Sequence, residues 1–366
     1  MPQDVFRWAE TSTGRFGVSR LSWSGWIRRL GSMLAGAFFL LGGTVLPPAA
    51  ADVRVTEGFL VEVVVTGIPR PIQLAIDASG SLVVLSQGWR GDAAAEIYRL
   101  DLGGPLPLDA SGAPRVVIPF SEGPRKTAFG SLAIDPGSGD LFLGEENGNR
   151  IYRLTADKRL TPFAVGLYHL VGGSSFTFDG QGGLVILDFA SPDGLLHSEA
   201  PLSPGLDWLI TEAYQGPLVF RLAPQADIPL PRRLDLVAPV FPKGLAKRAR
   251  EFLPRLISAA TSSTGELLLL GSLGEVFKLT PEGLQLLARL PSGHYHRTNL
   301  APGPDGGLFV SSGFHIRQLF RISRAGAVTP LAWELGDPGG VAVDRRGHLY
   351  IAETALHRII RIRPAP

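Results

Sequence analysis

The chain alternates short apolar runs with clusters of glycine, aspartate and serine, a pattern that predicts short β-strands joined by turns. Residues 347–362, GHLYIAETALHRIIRI, show the unit: a glycine turn, an apolar strand, a polar gap and a second strand that contains a base. The second strand recurs as EIYRL (96–100), RIYRL (150–154), LVFRL (218–222), EVFKL (275–279), QLFRI (318–322) and RIIRI (358–362). Six copies of one unit predict a repeat architecture of small sheets.

Each unit contains three strands, which we name a, b and c in chain order. Strand b recurs at 81–86, 140–145, 183–188, 266–271, 307–312 and 348–353, and strand a precedes it at 73–77, 131–135, 175–179, 258–262, 299–303 and 340–344. Because strand b is apolar almost throughout, we expect it to be buried on both faces. The sheets must therefore pack against each other on both sides.

A fourth strand, d, is predicted in five units, at 115–120, 160–166, 232–240, 284–290 and 327–333. The sixth unit has no such segment before the sequence stops at Pro366, whereas FLVEVVV at 59–65 precedes the first unit and belongs to none. We expect this segment to pair with strand c of the sixth unit, which closes the sheet edge there. The predicted fold is all-β: a six-bladed β-propeller of four-stranded antiparallel blades, its ring closed by an N-terminal strand that completes the last blade.

Loop length predicts which side of the propeller carries function. In such a blade the a–b and c–d turns lie on one face, and the b–c and d–a connections lie on the other. The a–b turns are short in all six units, while insertions at 87–95, 189–217 and 241–256 fall on the other face. We expect ligand contacts on this loop-rich face. The base in each strand c is predicted to be structural, with its stem against a neighbouring blade.

Composition and charge narrow the environment of the chain. Arg28 and Arg29 precede an apolar stretch at 30–46, so residues 1–51 are predicted to be an export signal, cleaved or kept as an anchor, and 52–366 a single propeller domain. The expected location is periplasmic or extracellular, with membrane contact only through an uncleaved signal.

Without the five arginines and two acids of the leader, 30 bases and 31 acids remain of the chain's 35 and 33, so no nucleic-acid partner is expected. The chain has no cysteine, so no disulfide is expected.

Two units, at 129–154 and 338–362, resemble the NHL repeat of six-bladed β-propellers in the TolB-like and gluconolactonase-like superfamily. This resemblance implies a choice among binding scaffolds, lactonases and lyases, because the fold alone fixes no activity. Lactonases of this type hold a divalent cation through acids and amides placed just before strand a. Here that position holds Ile72, Gly130, Ser174, Ile257, Thr298 and Gly339. Asp193 follows strand b instead, so a metal site of that type is not expected.

The resemblance to lyases of this fold, such as streptogramin B lyase, implies histidines on the channel-side loops. His169, His294 and His296 lie on d–a connections and are predicted to approach the channel mouth. Three imidazoles could hold a divalent metal such as Zn²⁺, although the connections come from blades that are not adjacent. The other roles open to them are a polar ligand contact and an ordinary surface position.

Acids at the end of strand b form the second predicted group. Glu145, Asp188 and Glu353 point to the loop-rich face, where they either cap amides of the b–c loop or line a polar pocket with Ser131 and Asn299. The preferred hypothesis is an exported propeller that binds a small polar molecule, a glycan or a protein partner through this face. The alternative is a metal- or histidine-dependent lyase or hydrolase at the channel mouth. The sequence leaves open whether the protein is an enzyme.

Overall fold

The computed structural model describes residues 52–87, 94–118, 128–146, 150–167, 175–190, 214–223, 230–234, 237, 239–242 and 255–366. Within these ranges the chain folds into six small sheets, five built on four antiparallel strands and one on three. The innermost strands of consecutive sheets contact each other in ring order, and those of the first and sixth sheets are also in contact. The predicted six-bladed β-propeller is therefore confirmed. The predicted export signal lies outside the described residues and stays a prediction.

The strands in chain order begin with β1 (Arg54–Val55), β2 (Phe59–Thr66), β3 (Pro71–Ile76), β4 (Leu82–Ser86), β5 (Ala95–Leu100), β6 (Leu108–Asp109), β7 (Arg115–Ile118), β8 (Ala128–Ile134), β9 (Leu141–Glu146), β10 (Arg150–Leu154), β11 (Leu160–Val165), β12 (Phe176–Phe178) and β13 (Leu184–Ala190). They continue with β14 (Gly216–Leu222), β15 (Arg232–Arg233), β16 (Leu256–Thr261), β17 (Leu267–Gly271), β18 (Glu275–Thr280), β19 (Gly283–Arg289), β20 (Leu300–Pro302), β21 (Leu308–Ser311), β22 (Leu319–Ile322), β23 (Val328–Trp333), β24 (Pro338–Val343), β25 (Leu349–Glu353) and β26 (Arg358–Pro364).

The strands assemble into blades in the predicted order. Blade 1 is β3, β4, β5 and β7; blade 2 is β8 to β11; blade 3 is β12 to β14; blade 4 is β16 to β19; blade 5 is β20 to β23; and blade 6 is β24, β25, β26 and β2. A short helix, α1 (Gly313–Ile316), and a 3₁₀ turn at Thr354–Leu356 follow strand b in blades 5 and 6. Among the described residues no helix is long and apolar enough to span a membrane.

Strand β2 closes the ring by pairing antiparallel with β26, as the sequence predicts. Val63 lies opposite Ile360 near the centre of the ladder. Glu62 on β2 accepts hydrogen bonds from Arg361 Nε (2.9 Å) and Arg363 Nε (3.0 Å) across the same pair of strands. The closure thus combines a backbone ladder with a cluster of opposite charges.

The hydrophobic core of the described chain divides into six clusters, one in each gap between adjacent blades. Strand β4 shows how one strand serves two gaps, because its successive side chains point to opposite faces. Leu82 and Val84 pack in the gap shared with blade 6, whereas Val83 and Leu85 pack in the gap shared with blade 2. All four are 0% exposed, so the predicted burial of strand b on both faces is confirmed there.

The charged head of each strand c base pairs with an acid of its own blade, a contact that the sequence analysis did not predict. The expected contact of its stem with a neighbouring blade stays a prediction. Arg153 Nη2 lies 2.5 Å from Asp140 Oδ2, and Arg221 Nε lies 2.5 Å from Asp179 Oδ2. The same pairing joins Arg99 to Asp77, Lys278 to Glu266, Arg321 to Asp305 and, on the closing strand, Arg361 to Glu62. In blades 1 to 5 the acid lies at or beside the a–b turn, which strand c reaches through its pairing with strand b, whereas Glu62 lies on the outer strand of blade 6. The pairs of blades 1 to 5 fasten the turn to its own sheet.

Three blades carry a fifth strand on their outer edge. Strand β1 pairs antiparallel with β23 of blade 5, while β6 and β15 pair parallel with β2 of blade 6 and β11 of blade 2. Strands β6 and β15 lie in the c–d connections of blades 1 and 3, each just after a cis peptide bond, Leu106–Pro107 or Leu230–Pro231. Long connections therefore also occur on the face of the a–b and c–d turns, which we call the short-turn face. The expectation that insertions are confined to the opposite face was wrong.

The outer strand of blade 3 differs from the sequence prediction at 232–240. Strand β15 pairs with β11 of blade 2, and blade 3 receives only an isolated bridge, between Val219 and Phe241, in its described part. Pro239 and Pro242 lack a backbone N–H, so this segment cannot donate along a continuous ladder with β14. The insertion predicted to be helical at 241–256 lies mostly outside the described residues.

The charge cluster at the ring closure predicts a pH-dependent stability. Burial raises the pKa of Glu62, but hydrogen bonds and charge from Arg361 and Arg363 outweigh it, so the pKa lies below its usual value. The stabilisation is therefore present above the unfolded-state pKa, about 4.3, and is lost as the pH falls through the folded-state pKa. We expect Glu62→Gln to lower the free energy of unfolding by about 2 kcal/mol at neutral pH, and by less in acid.

Urea melts of both proteins at neutral and acidic pH measure this difference. Glu57→Gln is the matched control, because Glu57 is an exposed acid just before the same strand. An equal loss at both pH values, or an equal loss in the control, would contradict the assignment.

Candidate functional site at the channel mouth

The centre of the ring is crossed by buried polar side chains from the start of strand a in five blades. They are Gln73, Ser131, Ser175, Ser258 and Asn299, each at most 4% exposed, and we call them the channel belt. Gln73 Nε2 donates to Gly130 O (3.2 Å), Asn299 Nδ2 donates to Gln73 Oε1 (3.0 Å), and Ser258 Oγ donates to Asn299 Oδ1 (3.3 Å). Because blades 1 and 5 are not adjacent, the Gln73–Asn299 bond spans the interior of the ring. The belt therefore links blades 1 and 5 past the intervening blade 6.

A glycine in blade 6 makes this bond possible. A Cβ on Gly340 would lie 2.6 Å from Leu74 N and 2.7 Å from Gln73 Cα, closer than side chains approach. Without that atom, β24 approaches β3 and Gln73 reaches past blade 6 to Asn299. Asn299 is a predicted ligand contact, and here both of its amide atoms bond within the belt. A ligand would have to replace one of these bonds.

The predicted acids at the end of strand b are all buried: Glu145 (3% exposed), Asp188 (1%) and Glu353 (0%). Glu353 accepts a hydrogen bond from Gly336 N (2.7 Å) and pairs with Arg358 Nε (2.5 Å). Glu145 accepts a hydrogen bond from the hydroxyl of Tyr152 (3.1 Å). Neither partner is an amide of the b–c loop, because Gly336 lies on the d–a connection before β24 and Tyr152 lies on β10, so the predicted cap on that loop stays a prediction. Ligand contact by the three acids stays a prediction.

Three charged residues occupy similar positions in neighbouring blades on the loop-rich face. Arg297, Asp337 and Arg70 lie just before strand a of blades 5, 6 and 1, which are neighbours in the ring. All three have a left-handed backbone, with φ of 53°, 58° and 45°. Such a conformation is uncommon in residues other than glycine and is concentrated at functional sites. Together with His315, we call these residues the mouth cluster.

Electrostatics connects the members of the mouth cluster. Burial raises the pKa of Asp337, and the charges of Arg297, Arg70 and His315 act in the opposite direction. The carboxyl is thus half-buried, with positive groups around it. The backbone beside it is fixed, since Thr354 N donates to Asp337 O (3.1 Å). The cluster presents an excess of positive charge over one buried acid.

The histidines predicted for the site are partly described. His294 is exposed and His296 is half-buried, and their ring centres are 6.3 Å apart. His315 brings a third ring, 6.0 Å from that of His294. His169 lies outside the described residues, so a metal shared by His169, His294 and His296 stays a prediction. In the part of the chain that the structure describes, no group of three or more histidines and acids is placed to hold a metal ion.

Arg70, Arg297 and Asp337 were missing from the sequence prediction, which considered only the position directly before strand a. In blade 6 that position is Gly339, and the acid lies two residues earlier. The register of β24 on β25 shifts between Pro338 and Val341, so the pattern of strand a does not extend back to Asp337. A search for charges along the whole d–a connection of adjacent units would have found all three.

No family model matches the chain, and no curated protein matches it. A carbohydrate-active enzyme of family AA12 from Trichoderma reesei superposes with a TM-score of 0.58 at 10% identity, over 88% of this chain and 100% of its own. A gluconolactonase from Xanthomonas campestris gives 0.54 at 19% identity, over 87% and 97%. The PQQ domain of pyranose dehydrogenase from Coprinopsis cinerea gives 0.55 at 10% identity, over 85% and 97%. At these identities the likeness establishes the fold: the protein is a six-bladed β-propeller with gluconolactonase-like structural neighbours, as the resemblance implied.

The buried acid of the mouth cluster predicts a gain in stability when its charge is removed. The pKa of Asp337 is raised, so its contribution is complete below the unfolded-state pKa and is lost as the pH rises through the folded-state pKa. Asn carries no charge and tolerates a left-handed backbone. Asp337→Asn should therefore unfold at a higher urea concentration than the wild type at neutral pH, with the difference disappearing in acid. A less stable variant at neutral pH would contradict this assignment.

Proposed function

We propose that the protein binds a small polar molecule with an anionic group at the channel mouth on its loop-rich face. The observation that carries this proposal is the mouth cluster, in which Arg70 and Arg297 come from blades on either side of the one that carries Asp337. Guanidinium groups pair with carboxylate and phosphate through parallel hydrogen bonds, and they keep their charge at any physiological pH. The cluster therefore favours an anion over a neutral ligand.

The surroundings of the cluster support a shallow and rigid site. The side chains of the channel belt are buried and bonded to one another, so we place the ligand above them, at the mouth. Glu353 fixes the connection at Gly336, directly before Asp337, which limits the reorganisation needed on binding. The carboxyl of Asp337 can bond to a hydroxyl of the ligand. A hydroxy acid of the sugar-acid type combines both features, and His294 and His296 lie on the nearby rim.

Calorimetric titration with gluconate tests the proposal, with sorbitol as the matched neutral polyol. We expect measurable binding of gluconate alone, and a loss of about tenfold in affinity in Arg297→Gln, because a charge-assisted hydrogen bond contributes about 1.5–3 kcal/mol. Arg345→Gln, on an exposed a–b turn at the other end of blade 6, is the control and should bind like the wild type. Equal binding of both polyols, or no effect of Arg297→Gln, would refute an anion site at the mouth.

A lyase or hydrolase at the same mouth is the second candidate. It is favoured by the raised pKa of Asp337, since a carboxyl that holds its proton more tightly is suited to proton transfer near neutral pH. Asp337→Asn discriminates the two functions. If the protein only binds its ligand, the variant retains its affinity for gluconate, and neither the variant nor the wild type turns over a substrate. If the protein is an enzyme, the variant still binds gluconate, but the turnover seen with the wild type is lost.

We also propose, from the sequence of residues 1–51, that this binding takes place outside the cytoplasm. The arginine pair, the apolar stretch and the small residues before Asp52 support an export signal. Expression of the whole chain in a Gram-negative host, followed by intact-mass measurement of the periplasmic fraction, should give a protein that begins near Asp52. A full-length protein confined to the cytoplasm would contradict export.

A further inference from the structure

The outer edges of the blades differ in whether a fifth strand covers them. In blades 6 and 2 the cover comes from the c–d connection of the next blade, through β6 and β15. The c–d connections of blades 2 and 5 are instead tight turns at 155–159 and 323–327, closed by backbone hydrogen bonds of 3.1 Å and 2.9 Å. Such turns are too short to reach the neighbouring edge. Within the described chain, β7 of blade 1 and β19 of blade 4 are therefore left without a covering strand.

An open cleft lies at each of these two edges. The cleft between blades 4 and 5 measures about 470 Å³, and the one between blades 1 and 2 about 300 Å³. The larger cleft is lined by β19 on one side and by turns of blade 5, including Gly306, Ser323 and Arg324, on the other. Leu286 of β19 lines it as well and is 45% exposed, a large apolar side chain on an open strand edge. Uncovered edges of this kind pair readily with added strands.

The equivalent space between blades 6 and 1 shows how the fold fills such a cleft. There β6 pairs with the end of β2, with Leu108 opposite Val65. Leu106 and Leu108, at alternate positions of this segment, pack against the apolar cluster between the two blades. An acid, Asp109, follows them directly. The covering segment therefore presents leucines at alternate positions to the cleft and ends in a two-residue strand, and Asp109 Oδ1 accepts a hydrogen bond from Ser111 N (2.9 Å) within its own turn.

We propose that the cleft between blades 4 and 5 receives an extended strand of a partner protein, which pairs with β19 as β6 pairs with β2. The partner strand places apolar side chains at alternate positions along Leu286 and an acidic side chain at Arg324. The guanidinium of Arg324 makes no hydrogen bond or ion pair with the described residues, so it can accept that carboxylate. This mode of recognition takes affinity from main-chain hydrogen bonds and specificity from alternate side chains.

Charge argues against a second copy of this chain as the occupant. A symmetric contact between two β19 edges would bring both copies of Arg324, which lines this edge, to one interface. Like charges across paired strands are destabilising. The cleft also lies on the short-turn face, away from the mouth cluster, so its occupation is independent of the proposed ligand site.

Selection of a displayed library of random short peptides against the full chain tests the proposal. We expect enriched sequences to carry alternating apolar residues and a carboxylate, and a synthetic peptide of that sequence to slow hydrogen exchange along β19. Fluorescence anisotropy should show about tenfold weaker binding to Leu286→Asp and to Arg324→Glu. Val117→Asp is the matched control, because Val117 is a 55% exposed valine on β7, the other uncovered edge strand, and it should bind like the wild type.

Three outcomes would overturn the proposal: no enrichment, equal binding to all variants, or a dimer of the chain that Leu286→Asp abolishes, since the last would assign the cleft to a second copy. The substituted side chains are exposed, and thermal melts that match the wild type show that lost binding does not reflect unfolding.

Discussion

The whole structure depends on the fact that its sheets are apolar on both faces. A blade of this kind needs a partner on each side, and a row of blades would always leave two of them half exposed. Closing the row into a ring removes both ends at once, and the pairing of β2 with β26 accomplishes this. The six apolar clusters between the blades are the direct result, and they leave polar groups to the centre and the rim.

The centre of the ring imposes a second constraint, because six inner strands converge there and leave little space for side chains. Short polar side chains and one glycine occupy this space, and their hydrogen bonds join blades that are not neighbours. Buried polar groups that are all bonded make a stiff support. The mouth cluster lies beside this belt, and Arg70, Arg297 and Asp337 have left-handed backbone conformations. Rigid placement of charge above this belt is the basis of the proposed ligand site.

The sequence predicted what repetition makes visible. Strands b and c were found because their two-residue alternation recurs in every unit, and the closing strand because one unit lacked a partner that another segment could supply. The contact of Glu353 with Gly336 N, on a d–a connection, was not among the expected roles. The sequence analysis missed the mouth cluster, because Arg70 and Asp337 lie far apart in the sequence and only the closed ring makes their blades neighbours. The sequence analysis missed strand β6, which is two residues long and follows a proline, and it assigned the residues of β15 to the outer edge of blade 3, whereas they pair with blade 2.

The joining of the two ends also determines when this protein can become whole. Glu62 and Arg361 are 299 residues apart, and the ladder between their strands forms only after nearly all of the chain exists. Until then the chain is an open arc of blades, and the first and last sheets each expose an apolar face to water. Closing so long a loop costs conformational entropy, which slows folding. Open intermediates with exposed apolar faces are prone to aggregate. The folding intermediate that precedes the pairing of the last strand is therefore the state most prone to aggregation.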